Sequence, residues 1–91
     1  MEIKIHALHF DATEKLEAYI EKKVSKLAKH LEGAESVEVQ LKVVKPQTAN
    51  NKEVTITIGS LHSEKICDTF EEAIDQCVDA LKTQIEKKKN K

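Results

Sequence analysis

Apart from histidine, lysine carries every basic charge in this chain: there are fifteen lysines and no arginine, against sixteen acidic residues. An ammonium on a flexible stem is a point charge suited to phosphate oxygens. The bidentate grip on phosphate or guanine that a guanidinium offers is missing. With a net charge of −1, attraction to a polyanion has to come from a segregated patch and not from the molecule as a whole. Two patches are legible. At about 100° per residue, Lys15, Lys22, Lys26 and Lys29 fall within a sector of about 60°, roughly opposite an apolar stripe. Glu14, Glu21 and Glu32 fall on a different flank. The second patch is Lys87, Lys88, Lys89 and Lys91, with Lys82 earlier in the same segment. An ordinary solvated helix face or a frayed, solubilising helix end shows the same pattern, so each patch permits contact with a phosphate backbone without requiring it.

Other chemistry has little material. Phe10, Tyr19 and Phe70 are the only aromatic residues, too few for RNA recognition by rings stacked on successive bases. His6 and His9 lack a carboxylate or thiol at a recognised ligand spacing. Gly33 and Gly59 stand alone, so there is no phosphate loop, and Ser36, Ser60 and Ser63 lie in no nucleophile elbow. Asp75 and Asp79, one helical turn apart, read as surface charges. Cys67 and Cys77 form neither a redox pair nor a zinc array and are expected to be reduced and mostly buried. No catalysis, cofactor, metal or small-molecule substrate is expected. No apolar segment at the N-terminus suggests export, and no run approaches the roughly 20 residues of a membrane span, so the expected location is the cytoplasm.

The elements that must position these lysines follow from periodicity. The length of 91 residues fits one small domain, expected over residues 1–91, whose core must come from Ile, Leu and Val. Residues Glu2 to Ala7 alternate as a first strand, with Ile3, Ile5 and Ala7 on one face. Asp11 and Glu14 have the spacing of a capping box. Leu16, Ile20, Val24, Leu27 and Leu31 then recur at helical spacing, and Gly33 suits the helix end. Val37 to Lys45 alternates again and Pro46 stops it. The polar stretch 46–51 reads as a hairpin loop, and Lys52 to Ile58 buries Val54, Ile56 and Ile58. Leu61 to Cys67 is a weaker strand without clean alternation. Either Asp68 with Glu71 or Thr69 with Glu72 can open the last helix, in which Phe70, Ile74, Cys77, Leu81 and Ile85 form the stripe and Ala73 and Val78 flank it. The predicted fold is α+β, in the order β-α-β-β-β-α. A four-stranded sheet should carry both helices on one face, its other face half polar.

That order resembles the bacterial ribosome hibernation promoting factor and ribosome-associated inhibitor family, also called sigma-54 modulation proteins. The residues carrying the likeness are Lys23 and Lys26-Leu27 in the first helix, the strand Leu41 to Lys45, and Ala73-Ile-Asp75 followed by Leu81, Gln84, Lys87, Lys89 and Lys91. The resemblance spans nearly the whole chain and is to the family's short form, without the added C-terminal dimerisation domain. It implies a fold similar to double-stranded-RNA-binding domains, and a partner, the small ribosomal subunit with its 16S rRNA. There the family blocks the messenger and transfer RNA sites and preserves idle ribosomes. By position, Lys23, Lys26, Lys42, Lys45, Lys87, Lys89 and Lys91 match basic positions of the family. The amines of Lys23, Lys26, Lys87 and Lys89 are expected to face solvent. The chain departs from the family at Ala80 and Thr83, where a basic residue and an arginine are usual, and at Phe70, where a tyrosine is common. The implied factor is non-enzymatic and monomeric off the ribosome. The alternatives are a general RNA- or protein-binding module on the same scaffold and a small α+β hydrolase of the acylphosphatase kind. The hydrolase reading calls for a strand after the second helix and an arginine to bind phosphate, and neither is present here.

Overall fold

The computed structural model describes residues 2–8, 12–28, 36–44 and 51–89. Within them the order is β1 (Ile3–Leu8), α1 (Glu14–Ala28), β2 (Val37–Val43), β3 (Lys52–Ile58), β4 (Leu61–Cys67) and α2 (Phe70–Lys89). The strands lie in one sheet in the order β1-β2-β3-β4. β1 runs parallel to β2, as a crossover through a helix requires, with Ile3 opposite Val37 and Ile5 opposite Val39. The next two pairings are antiparallel, placing Val39 opposite Ile56 and Ile56 opposite Ser63. The expected α+β arrangement with both helices on one sheet face is the one observed.

Alternation explains which face is covered. Val37, Val39 and Leu41 of β2 and Val54, Ile56 and Ile58 of β3 form one core with the helix stripes Leu16, Ile20, Val24, Leu27 and Phe70, Ala73, Ile74, Cys77, Leu81, Ile85. Ala73, expected on the flank of its stripe, is fully buried. On the opposite face the pairings line up Lys4, Glu38, Thr57 and His62 in one row, then His6, Gln40, Thr55 and Glu64, then Leu8, Lys42, Glu53 and Ile66. Two lysines against three glutamates leave that open face without an excess of positive charge. The fourth strand forms through its antiparallel pairing with β3 despite an alternation that is irregular on both faces. Ser63 is buried against the helices, whereas Ile66 points outward and is 47% exposed. β3 and β4 join through a tight turn at Gly59, whose φ of 57° falls in the left-handed region that favours glycine.

Both helix starts are decided by threonine. The Leu16 N–H donates to Thr13 Oγ1 at 3.1 Å and the Glu72 N–H to Thr69 Oγ1 at 3.1 Å. The first helix, α1, begins at Glu14, which makes Thr13 the residue able to reach the N3 amide. Asp11 itself, like Leu31, Gly33 and Pro46, lies outside the described residues. At the second helix, Thr69 takes the role that Asp68 could equally have filled by spacing. Thr13→Ala and Thr69→Ala should each cost about 1 kcal/mol by thermal or urea unfolding. A loss from Asp68→Ala larger than that from Thr69→Ala would reassign the cap. Among the described residues no helix is long and apolar enough to cross a membrane.

Candidate nucleic-acid interface

Helix α1 has a basic and an acidic side. Its glutamates Glu14, Glu17 and Glu21 line a cleft beside Ile3 and Ile5 of the edge strand β1. Lys23 and Lys26 lie on the side toward α2. Contacts advance together along both helices: Tyr19 meets Asp75, and further on Lys26 and Leu27 share a groove with Val78 and Lys82. The two helices therefore lie side by side and run in the same direction. The groove, about 180 Å³, is lined by Lys23, Lys26, Leu27, Val78, Asp79 and Lys82. Leu27 and Val78 belong to the buried stripe and its margin, so the floor is set by packing while three ammonium-bearing side chains and one carboxylate line the site. Ammonium groups attract phosphate oxygens through space and do not read base edges.

A clamp closes the seam at the N-terminal side of this groove. The Tyr19 hydroxyl donates to Asp75 Oδ1 at 2.7 Å. The same oxygen lies 3.4 Å from Lys23 Nζ, which sits 5.5 Å from the centre of the Tyr19 ring. Asp75 is thus not a plain surface charge, and Lys23 is not a fully solvent-facing amine: its side chain is 32% exposed. Both corrections have one cause. Asp75 lies on the flank of α2 that faces α1, which only the packing of one helix against the other makes visible. Hydrogen bonding to Asp75, then burial and the neighbouring negative charges push the Tyr19 phenol up to about 12 from 10.0. The raised value means the protonated phenol stabilises the fold. That contribution is complete below pH 10 and is lost as the pH rises through about 12. With a single tyrosine in the chain, tyrosinate absorbance reports on it directly. Titration near 12 in the wild type, moving toward about 10 in Asp75→Asn, is the expected result; an unperturbed wild-type phenol would show that the clamp does not form.

The chain has counterparts among known proteins. A profile described as Sigma 54 modulation protein / S30EA ribosomal protein matches residues 3–91. The chain belongs to this family. Its members are ribosome-associated factors, in line with the resemblance carried by the first helix, β2 and α2. Among solved structures, the Protein Y N-terminal domain of Thermus thermophilus is similar at a TM-score of 0.77 and 25% identity, over 96% of this chain and 98% of that one. A ribosomal subunit interface protein of Coxiella burnetii shares the fold at a TM-score of 0.76 and 20% identity, covering 100% of both chains. No curated protein gives a significant match.

Within this member of the family, the lysines singled out by sequence are distributed unequally. Lys22, Lys23 and Lys26 come from α1 and Lys82 and Lys87 from α2; Lys23, Lys26 and Lys82 share the groove. Lys42 does not join them. It lies on the opposite side of the sheet, in the row with Leu8 and Glu53. Lys29, Lys45 and Lys91 lie outside the described residues, as do the side chains of Lys88 and Lys89. Sequence reasoning placed Tyr19, Asp75 and Asp79 in no site. The signal for the two aspartates was present, since residues 75, 79 and 82 follow helical spacing and share one flank. Among the described residues no group of three or more His, Cys, Asp or Glu could hold a metal ion. Cys67 and Cys77 are buried free thiols. The Cys77 thiol donates to the carbonyl of Val54 at 3.3 Å. Burial pushes it up to about 11, and burial raises Cys67 as well, so neither is a thiolate nucleophile near neutral pH.

Proposed function

We propose that residues 1–91 form a single, non-enzymatic domain that binds the small ribosomal subunit at its messenger and transfer RNA sites, inhibiting translation and preserving idle ribosomes in the cytoplasm. The observation that carries this is the groove of Lys23, Lys26 and Lys82 along the α1–α2 seam, in a chain of this family. The rRNA-binding residues are Lys22, Lys23, Lys26, Lys29, Lys42, Lys45, Lys82, Lys87, Lys88, Lys89 and Lys91, of which Lys42 makes a contact separate from the groove. Ammonium groups bind the phosphate backbone by releasing its counterions, so affinity follows the shape of the RNA surface and falls with salt. No cofactor enters this mechanism, and the factor is monomeric off the ribosome.

Cosedimentation with purified small subunits, set against duplex RNA of matched length, tests the reading. The protein should pellet with small subunits and reduce their retention of messenger and initiator transfer RNA. Equal affinity for duplex RNA, with no competition against either ligand, would instead make it a general RNA-binding module.

A further inference from the structure

The groove between the helices contains a charge that phosphate binding does not call for. Asp79 stands among Lys23, Lys26 and Lys82. Its neighbour one turn earlier, Asp75, is occupied by Tyr19 and Lys23. Asp79 is exposed, and among the described residues its carboxylate forms no ion pair. Its backbone carbonyl accepts from Thr83 Oγ1 at 3.0 Å. A phosphate approaching Lys26 and Lys82 therefore meets the repulsion of a carboxylate in the same small groove. One carboxylate among three ammonium groups leaves the groove attractive to RNA while lowering what the lysines alone would give.

We propose that Asp79 is an affinity-limiting residue of the lysine groove, holding its contact with the RNA phosphate backbone weak enough to be reversed. The inference rests on the ribosome-binding reading above. Loss of one charge across a groove of this size should tighten binding about three- to tenfold at low salt. The gain should shrink as the ionic strength approaches 0.15 M, where the Debye length is about 8 Å.

The test measures cosedimentation of the full chain with small subunits over a range of potassium chloride, for wild type, Asp79→Asn, Asp79→Ser and Glu21→Gln. Glu21 supplies the control because it lies on the acidic side of α1, in the cleft beside β1. It removes the same net charge away from the lysines. Both Asp79 variants should bind more tightly and depend more steeply on salt, with Glu21→Gln close to wild type. Damage to the fold cannot produce such a gain. Equal tightening by Glu21→Gln would attribute the effect to net charge and overturn the proposal. So would wild-type binding that neither Asp79 variant improves. Failure of the wild type to sediment with small subunits is a different result, since it removes the ribosome-binding reading itself and this inference with it.

Discussion

Leu81→Ala is expected to lower the melting temperature by roughly 8 to 40 °C. Leu81 is fully buried at the centre of the α2 stripe and packs in one core with the sheet and α1. Truncating a buried leucine removes its transfer free energy and leaves a cavity, together costing about 2–5 kcal/mol. In a domain of this size each kcal/mol corresponds to about 4–8 °C, and total stability of small domains is itself only about 5–15 kcal/mol. Leu27→Ala, 1% exposed on the facing helix, should behave alike. Differential scanning calorimetry of both variants checks the assignment. A shift of only a degree or two in either would mean that its stripe does not pack against the sheet.

The second large effect concerns binding. In the triple variant Lys26→Ala, Lys82→Ala and Lys87→Ala, cosedimentation with small subunits should weaken at low salt. The slope of log affinity against log salt should flatten by about 2–3 units, close to one per lost phosphate contact. All three residues are exposed, so melting should stay near the wild-type value. Lys23 is left out because its ammonium is already paired with Asp75, and its removal would mix binding with helix packing. Lys42→Ala, on the other side of the sheet, reports separately on the second contact and should cost less than the triple variant. An unchanged triple variant beside a strongly weakened Lys42→Ala would move the interface to the open sheet face.

Sequence by itself determined the elements and their buried faces. The alternation of Val54, Ile56 and Ile58 marked β3 with the bounds observed, and the recurrence of Phe70, Ile74, Cys77, Leu81 and Ile85 marked the covered stripe of α2. Such patterns are local because the period of a strand or helix fixes which residues share a face. Even Leu61–Cys67, with Ser63 inside and Ile66 outside, was legible from its flanking turn and helix start, though not from alternation. Spacing narrowed the cap of α2 to Asp68 or Thr69, whereas at α1 it pointed to Asp11 and passed over Thr13. Backbone geometry then chose Thr13 and Thr69, since only one position can present its oxygen to the N3 amide.

Tertiary structure alone decided which flanks meet. Tyr19 and Asp75 are 56 residues apart in the chain, and nothing in either segment announces the other. The same packing turned Lys23 inward, put Asp79 among the lysines, and left Lys42 across the sheet from them. Periodicity states which side of a helix faces the core, but both flanks of that side are equivalent until a neighbour is placed. Here the sheet fixes where α1 and α2 lie, and their side-by-side packing gives one flank of each a partner of opposite charge.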